Sequence, residues 1–361
     1  MKRLANMLLF VTLVPIRLVR WLFNRGKKWE SGALPNETHE WFRRCIADRL
    51  CSEGSPYYGL FKRGENTKDL IFYFGGGGIS WGEKTADARH TYRKLFLGIQ
   101  TFYTPKTSAF VTASLGGILD KKDTANPFYA WNAVYAPYAT GDFHMGNGDF
   151  SYTAKDGYEG VVHHHGRKNA ETLIRLAAET FPDTERILIA GESAGAFGCV
   201  ANAPEVARAF PKLKRIVICS DGAQLRHGDW PKVAKEVWHC APDMAQAVQG
   251  DALIVDLFNR AYAALGDEAT YLHISSVYDG VLCQVENMMN NDRDDMPSAV
   301  REAFRAGLGA ALRAGIPGYR VYLTDFETNP KTGLAFHTVL RDRARYAKRG
   351  GVGCAGGGGD C

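Results

Sequence analysis

The chain has 361 residues and lacks any run of the roughly 20 apolar residues needed to cross a bilayer comfortably. Its eight cysteines form no CxxC pair and are too dispersed for a zinc module. There is no internal repeat, no P-loop and no GxGxxG opening a helix, which excludes a solenoid and a phosphate-cradling nucleotide site. Acidic residues are absent before Glu30. What is present is ample core material: 45% of residues are hydrophobic and 23% charged, which excludes a disordered chain and a polytopic membrane protein.

The formal net charge of +5 is unevenly spread. Seven of the 44 basic residues, Lys2, Arg3, Arg17, Arg20, Arg25, Lys27 and Lys28, fall in the acid-free leader, and the remaining 37 face 39 acidic residues. The body is therefore not basic, and nucleic acid is not expected as a partner. Residues 4–16 (LANMLLFVTLVPI) have the length of a signal-peptide core without a clear cleavage site. The following RLVRWLF suits a basic amphipathic helix at an anionic membrane surface, or an uncleaved signal-anchor if Arg17 and Arg20 snorkel. Residues 1–29 are expected to be such a leader, making the protein membrane-associated or exported, against a cytoplasmic alternative. Residues 30–349 would form the main folded domain, and 350–361 (GGVGCAGGGGDC) a flexible tail. Cys45 and Cys51 are near enough for a local disulfide, whereas Cys199 and Cys219 sit in apolar runs and read as buried.

Short unbroken apolar runs mark strands covered on both faces: 69–78, 108–114, 133–138, 186–192, 215–221, 270–276 and 320–326. Helical spacing appears between them, notably over 167–180 and 297–314. The alternation predicts an α/β fold with a mostly parallel central sheet and helices on both faces.

The strand RILIAG leads directly into Gly191-Glu192-Ser193-Ala194-Gly195, and a small-residue helix leaves it. A nucleophile on a sharp strand-to-helix turn needs glycine at 191 and 195, because the backbones approach closely. Ser193 is the expected nucleophile, with the Ala194 N–H and the helix N-terminus beside it to hold developing negative charge. Gly75-Gly76-Gly77-Gly78 follows the strand LIFYF, where a hydrolase of this architecture draws its other oxyanion donor. Downstream of the serine, His337 follows the last strand on a loop and is the expected base; His273 lies within a strand, and His227 is a weaker candidate. Asp279, two strands after the elbow, is the expected orienting acid, with Asp221, one strand after it, as the alternative. Within His163-His164-His165 only the outer two share a face. Two ligands without a third do not make a metal site, so this tract reads as a strand end before a helix starting near Gly166. The aromatic-rich stretch 128–143 reads mainly as core, with some rings available to stack on a sugar.

These motifs together resemble the pectin acetylesterases and the related Notum-type carboxylesterases, which are α/β-hydrolases acting on esters. The resemblance covers roughly residues 65–340 and rests on IFYFGGGG, NPFYAWNAVYAPYATGDFHMGN, HHHGRKN, AGESAGAFG, CSDGAQ, SSVYDG and FHT. It implies Ser193, Asp279 and His337 as the triad and Gly77, Gly78, Ile79 and Ala194 around the oxyanion. Trp81, Tyr138, Asp142 and His144 are expected to border the substrate. The implied activity is removal of acetyl or other short acyl groups from an O-acylated carbohydrate without a cofactor. A lipid or other acyl ester is the alternative substrate, and a membrane-tethered non-catalytic binding protein the alternative function. The chain departs from the family's usual pattern at Ile79 and Ser80 (often Trp-Cys), at Glu192 (often Cys) and at Ala196 (often Gly).

Overall fold

The computed structural model describes residues 27–89, 102–107, 111–293, 295, 297–312, 315–325, 328–330 and 333–341. The expected membrane segment and glycine tail therefore lie largely outside the described residues. Among those described, no helix is long and apolar enough to cross a membrane.

Among the described residues, nine strands form one sheet in the order β1-β2-β3-β5-β4-β8-β9-β10-β11. They are β1 (Lys27–Lys28), β2 (Trp41–Leu50), β3 (Pro56–Lys62), β4 (Asn66–Phe74), β5 (Trp131–Ala136), β8 (Arg186–Glu192), β9 (Arg215–Asp221), β10 (Ala269–Ser276) and β11 (Tyr319–Thr324). β3 is antiparallel to both β2 and β5, while β5, β4, β8, β9, β10 and β11 run parallel. A separate hairpin pairs β6 (Gly148–Thr153) with β7 (Glu159–His164). Lys27 and Lys28, at the end of the basic leader, pair with Phe42 and Arg43, and Trp29 is buried beside them.

The central strands read as unbroken apolar runs because both faces are covered. Leu70, Phe72 and Phe74 of β4 and Ile187 and Ile189 of β8 enter one core cluster; Ile71, Tyr73, Leu188 and Ala190 enter the other. This period-two division is what a pleated strand imposes. The first cluster lies under α1 (Gly166–Thr180) and α2 (Ala194–Ala209), with α3 (Leu253–Leu265) packed against α2. The second is covered by Ile118, Leu119 and Leu340. α4 (Gly280–Asn291) and α5 (Ser298–Leu312) pack on one another through Leu282, Cys283 and Phe304.

Two expectations are corrected. The apolar run 108–114 is not a strand where described: Val111–Ser114 is a 3₁₀ turn, and Val111 packs over the second core cluster. Cys45 and Cys51 are separate thiols, because Cys45 sits exposed on β2 opposite Tyr58 while Cys51 is buried with its Sγ toward the Pro56 carbonyl. Cys199 and Cys219 are buried as expected.

Candidate active site

Parallel strands bring their carboxyl ends to one edge of the sheet, where ligands of open α/β folds bind. Five segments named from the sequence leave strands at that edge: Gly75–Gly78 after β4, Ser193 after β8, Asp221 at the end of β9, Asp279 after β10, and the His337 loop after β11.

Ser193 is half-exposed between buried neighbours and holds φ 53°, ψ −125°, a conformation disfavoured for a residue with a side chain. Its surroundings impose that shape. A Cβ at Gly191 would lie 2.0 Å from the Gly195 carbonyl oxygen, and one at Gly195 would lie 2.1 Å from that of Phe74. Both clashes are with backbone, so only glycine admits the turn. The Ser193 N–H donates to the Asp221 carbonyl at 2.8 Å, tying the elbow to β9. α2 then begins at Ala194, whose N–H is among the unpaired donors of a helix start.

Asp279 is fully buried and caps α4. Its Oδ1 accepts from the N–H groups of Val281 at 3.0 Å and Leu282 at 2.8 Å, which leaves Oδ2 to accept from His337 Nδ1 at 2.6 Å. That bond places the ring proton on Nδ1 and leaves Nε2 as the acceptor of a neutral imidazole. Nε2 is buried and has no hydrogen-bond partner among the described residues, Ser193 included. Serine–histidine bonds of resting hydrolases commonly tighten only when substrate arrives. Burial disfavours the charged ring, but the carboxylates of Asp279, Asp221 and Glu192 outweigh it and hold the His337 pKa above its ordinary value.

The loop carrying His337 is pinned on both sides. Upstream, the Ala335 N–H donates to the Tyr278 carbonyl at 2.7 Å and the Ala335 carbonyl accepts from Gly280 at 3.2 Å. Downstream, Asp221 Oδ2 accepts from Val339 at 2.7 Å and Leu340 at 2.8 Å. Burial pushes the Asp221 carboxyl up to about 7 despite those two donors. The two acids thus divide the work: Asp279 touches the imidazole, and Asp221 holds the backbone that follows it. Gly222, at φ +77°, lies against the His337 ring, where an added Cβ would stand 3.3 Å from Cε1. Glu192 pairs with Arg341 on the same loop.

The glycine loop meets the elbow directly: a Cβ at Gly76 would stand 2.4 Å from the Glu192 carbonyl oxygen and 2.8 Å from Ser193 Cβ. Gly76, Gly77 and Gly78 are partly exposed, whereas the Ile79 N–H is engaged by the Phe102 carbonyl at 2.8 Å. Ile79 is therefore not a free donor, and Gly76 is the contact that sequence reading passed over. Only the close approach of two backbones, invisible in sequence, singles it out from its three neighbours.

Asp142 and His144 are buried and support the loop from behind. His144 Nε2 lies 2.9 Å from the Gly75 carbonyl, and burial pushes the ring down to about 4, so it is neutral and donates there. Asp142 accepts from the Thr140 hydroxyl and from the N–H groups of His144 and Gly166. Tyr138 is buried with its hydroxyl accepting from Phe143 N–H, and its ring flanks Gly77. Trp81 is partly buried and packs edge-on against Phe102. His273 is buried inside β10 and bonds to Tyr319, and His227 bonds to Asn290; Asp279 bonds to His337 instead.

The chain is similar to known proteins in sequence and in fold. The sequence pattern of the family described as Pectinacetylesterase matches residues 44–234, a span that includes Ser193 and Asp221 and ends before Asp279 and His337. The human protein named palmitoleoyl-protein carboxylesterase NOTUM is 24% identical over 165 residues, 45% of this chain and 31% of that protein. The Xenopus laevis protein named palmitoleoyl-protein carboxylesterase notum1' is 25% identical over 166 residues, with the same shares. The matched segment thus spans about a third of these curated relatives. A solved structure titled as the Wnt deacylase Notum from Drosophila superposes with a TM-score of 0.54 over 81% of this chain and 83% of its own, at 14% identity. That likeness concerns the fold, a mostly parallel sheet of α/β-hydrolase type. With more than half its length matched by the family pattern, the chain belongs to the pectinacetylesterase family.

Proposed function

We propose that this chain is a serine carboxylic-ester hydrolase that works through an acyl-enzyme. The observation that carries this reading is Ser193, held at φ 53° on a strand-to-helix turn that only Gly191 and Gly195 permit. Strain at a side chain of a reactive type, facing a loop of partly exposed glycines, is the arrangement of an activated nucleophile.

His337 Nε2 takes the Ser193 proton as Oγ attacks the ester carbonyl, and Asp279 stabilises the resulting imidazolium through Nδ1. The tetrahedral oxyanion lies toward Ala194 N–H at the start of α2 and toward the glycine loop at Gly77 and Gly78. His337 then protonates the departing alcohol, and water, activated in the same way, releases the acid.

The substrate proposed is an O-acylated carbohydrate carrying acetyl or another short acyl group, in line with the family description. A longer acyl ester is the second reading, supported by the names of the carboxylesterase relatives. The acid-free residues 1–29 are proposed to direct the enzyme to a membrane surface or export route. Hydrolysis of p-nitrophenyl acetate, octanoate and acetylated pectin by wild type and Ser193→Ala tests both parts. Turnover abolished by the substitution supports the enzyme reading, and the order of rates selects the acyl group. Turnover unchanged in Ser193→Ala would refute it.

A further inference from the structure

The histidine tract acquires in three dimensions the ligand that it lacks in sequence. In the β6–β7 hairpin, Asp149 is the cross-strand partner of His163, so their side chains leave the same face. His165 lies two residues further on and returns to that face. His164, between them, points inward: it is fully buried, with Nδ1 bonded to the Thr140 carbonyl at 2.7 Å. The result is a cluster of one carboxylate and two imidazoles that plays no part in the ester-hydrolysis scheme above.

Its dimensions suit an ion. Asp149 Oδ1 lies 2.8 Å from His163 Nδ1 and 2.8 Å from His165 Nε2, and the three atoms all fall within 4.8 Å of one another. Donors each about 2.0–2.1 Å from a zinc ion at the tetrahedral angle stand about 3.3 Å apart. The two carboxylate–imidazole separations therefore need to open by about half an ångström, while the two imidazole nitrogens already lie within 4.8 Å of one another. The Asp149 side chain is 52% exposed, so the cluster opens to solvent and leaves room for water as a further ligand. The histidines are held more tightly, at 24% and 13% exposure, and their backbone is fixed by the ladder and by the start of α1.

We propose that Asp149 Oδ1, His163 Nδ1 and His165 Nε2 bind one divalent transition-metal ion of the zinc class, completed by water. Binding through those nitrogens leaves the ring protons on His163 Nε2 and His165 Nδ1. The ion would tie the hairpin to the N-terminus of α1, where Gly166 meets Asp142 and, through it, His144 behind the glycine loop. The mixed nitrogen–oxygen set and open coordination favour zinc, cobalt or nickel over calcium or magnesium.

The test uses the full chain without a polyhistidine tag, washed with chelator and dialysed. Zinc chloride is titrated by calorimetry, and cobalt(II) absorption reports the coordination geometry. The expected result is one zinc per chain and a raised thermal midpoint. His163→Ala and Asp149→Asn should each weaken binding at least about 10-fold, since loss of a mere supporting hydrogen bond already costs about that much. His227→Ala, at a partly exposed histidine elsewhere, should leave it unchanged. Both ligand substitutions lie on a partly exposed face, and circular dichroism with Ser193-dependent esterase activity would show that each variant is folded. No saturable binding, or binding indifferent to His163→Ala and Asp149→Asn in folded protein, overturns the proposal.

Discussion

Replacing Asp279 and Asp221 separately by Asn distinguishes two buried acids that contact the same loop in different ways. In Asp279→Asn the amide oxygen remains the acceptor for the N–H groups of Val281 and Leu282, so the cap of α4 survives. That anchoring turns the amide NH₂ toward His337 Nδ1, where a carboxylate oxygen now sits at 2.6 Å. The ring must then accept at Nδ1 and carry its proton on Nε2, the tautomer that cannot take a proton from Ser193. A wrong tautomer in a serine triad lowers kcat about 10⁴-fold, or about 5 kcal/mol, with the fold intact. Asp221→Asn behaves otherwise. Its Oδ2 accepts two N–H bonds, at 2.7 and 2.8 Å, which an amide oxygen can also accept but without the charge. The difference between charged and neutral acceptors is about 1 kcal/mol per bond, and the amide is relieved of the burial cost that raises the Asp221 carboxyl, so the variant loses at most about 2 kcal/mol of stability. Even if that loss fell wholly on the transition state, the rate would drop no more than about 30-fold. Steady-state hydrolysis of p-nitrophenyl acetate and thermal melts of both variants read the two quantities. A rate loss at Asp221 equal to or larger than that at Asp279 would refute the assignment.

Three further outcomes follow from the same geometry. kcat/KM should rise with pH as His337 loses its proton, with a midpoint above 6.5 because Asp279, Asp221 and Glu192 hold the imidazolium; a pH–rate profile with its midpoint at or below 6.5 contradicts this. Gly195→Ala drives a Cβ into the Phe74 carbonyl, 2.1 Å away, and should cost about 1–3 kcal/mol in denaturant melts while reducing activity, because the strand it displaces carries the glycine loop. Phe197, fully buried and stacked on Phe143 at 4.2 Å, supports the nucleophile from α2; Phe197→Ala should destabilise the protein by about 3–5 kcal/mol.

The parts legible in the sequence are those where a local pattern has one physical meaning. Residues 186–192 and 215–221 are apolar on both faces because both faces are buried, and they are strands with those bounds. The elbow was legible because Gly191 and Gly195 flank a reactive side chain between a strand and a helix. By contrast, an apolar run such as 108–114 serves equally as a strand or as a cover for one, and Val111–Ser114 covers. β2 was hidden by Arg43, Arg44, Asp48 and Arg49, which a strand near the sheet edge can turn to solvent. β3 contains Gly59, a weak strand former, placed where an added Cβ would meet Leu173 of α1 at 2.2 Å. The roles of Asp221 and Asp149 depend on partners 118 and 14 residues away, contacts that no local pattern announces.

The central claim is that Ser193 is the acylated residue, and covalent trapping tests it most directly. Wild-type protein treated with a fluorophosphonate should gain the mass of one phosphonyl group, mapped by peptide sequencing to Ser193 and strongly slowed in His337→Ala. A folded wild-type chain that takes up no label, or takes it up on another residue, would contradict the account.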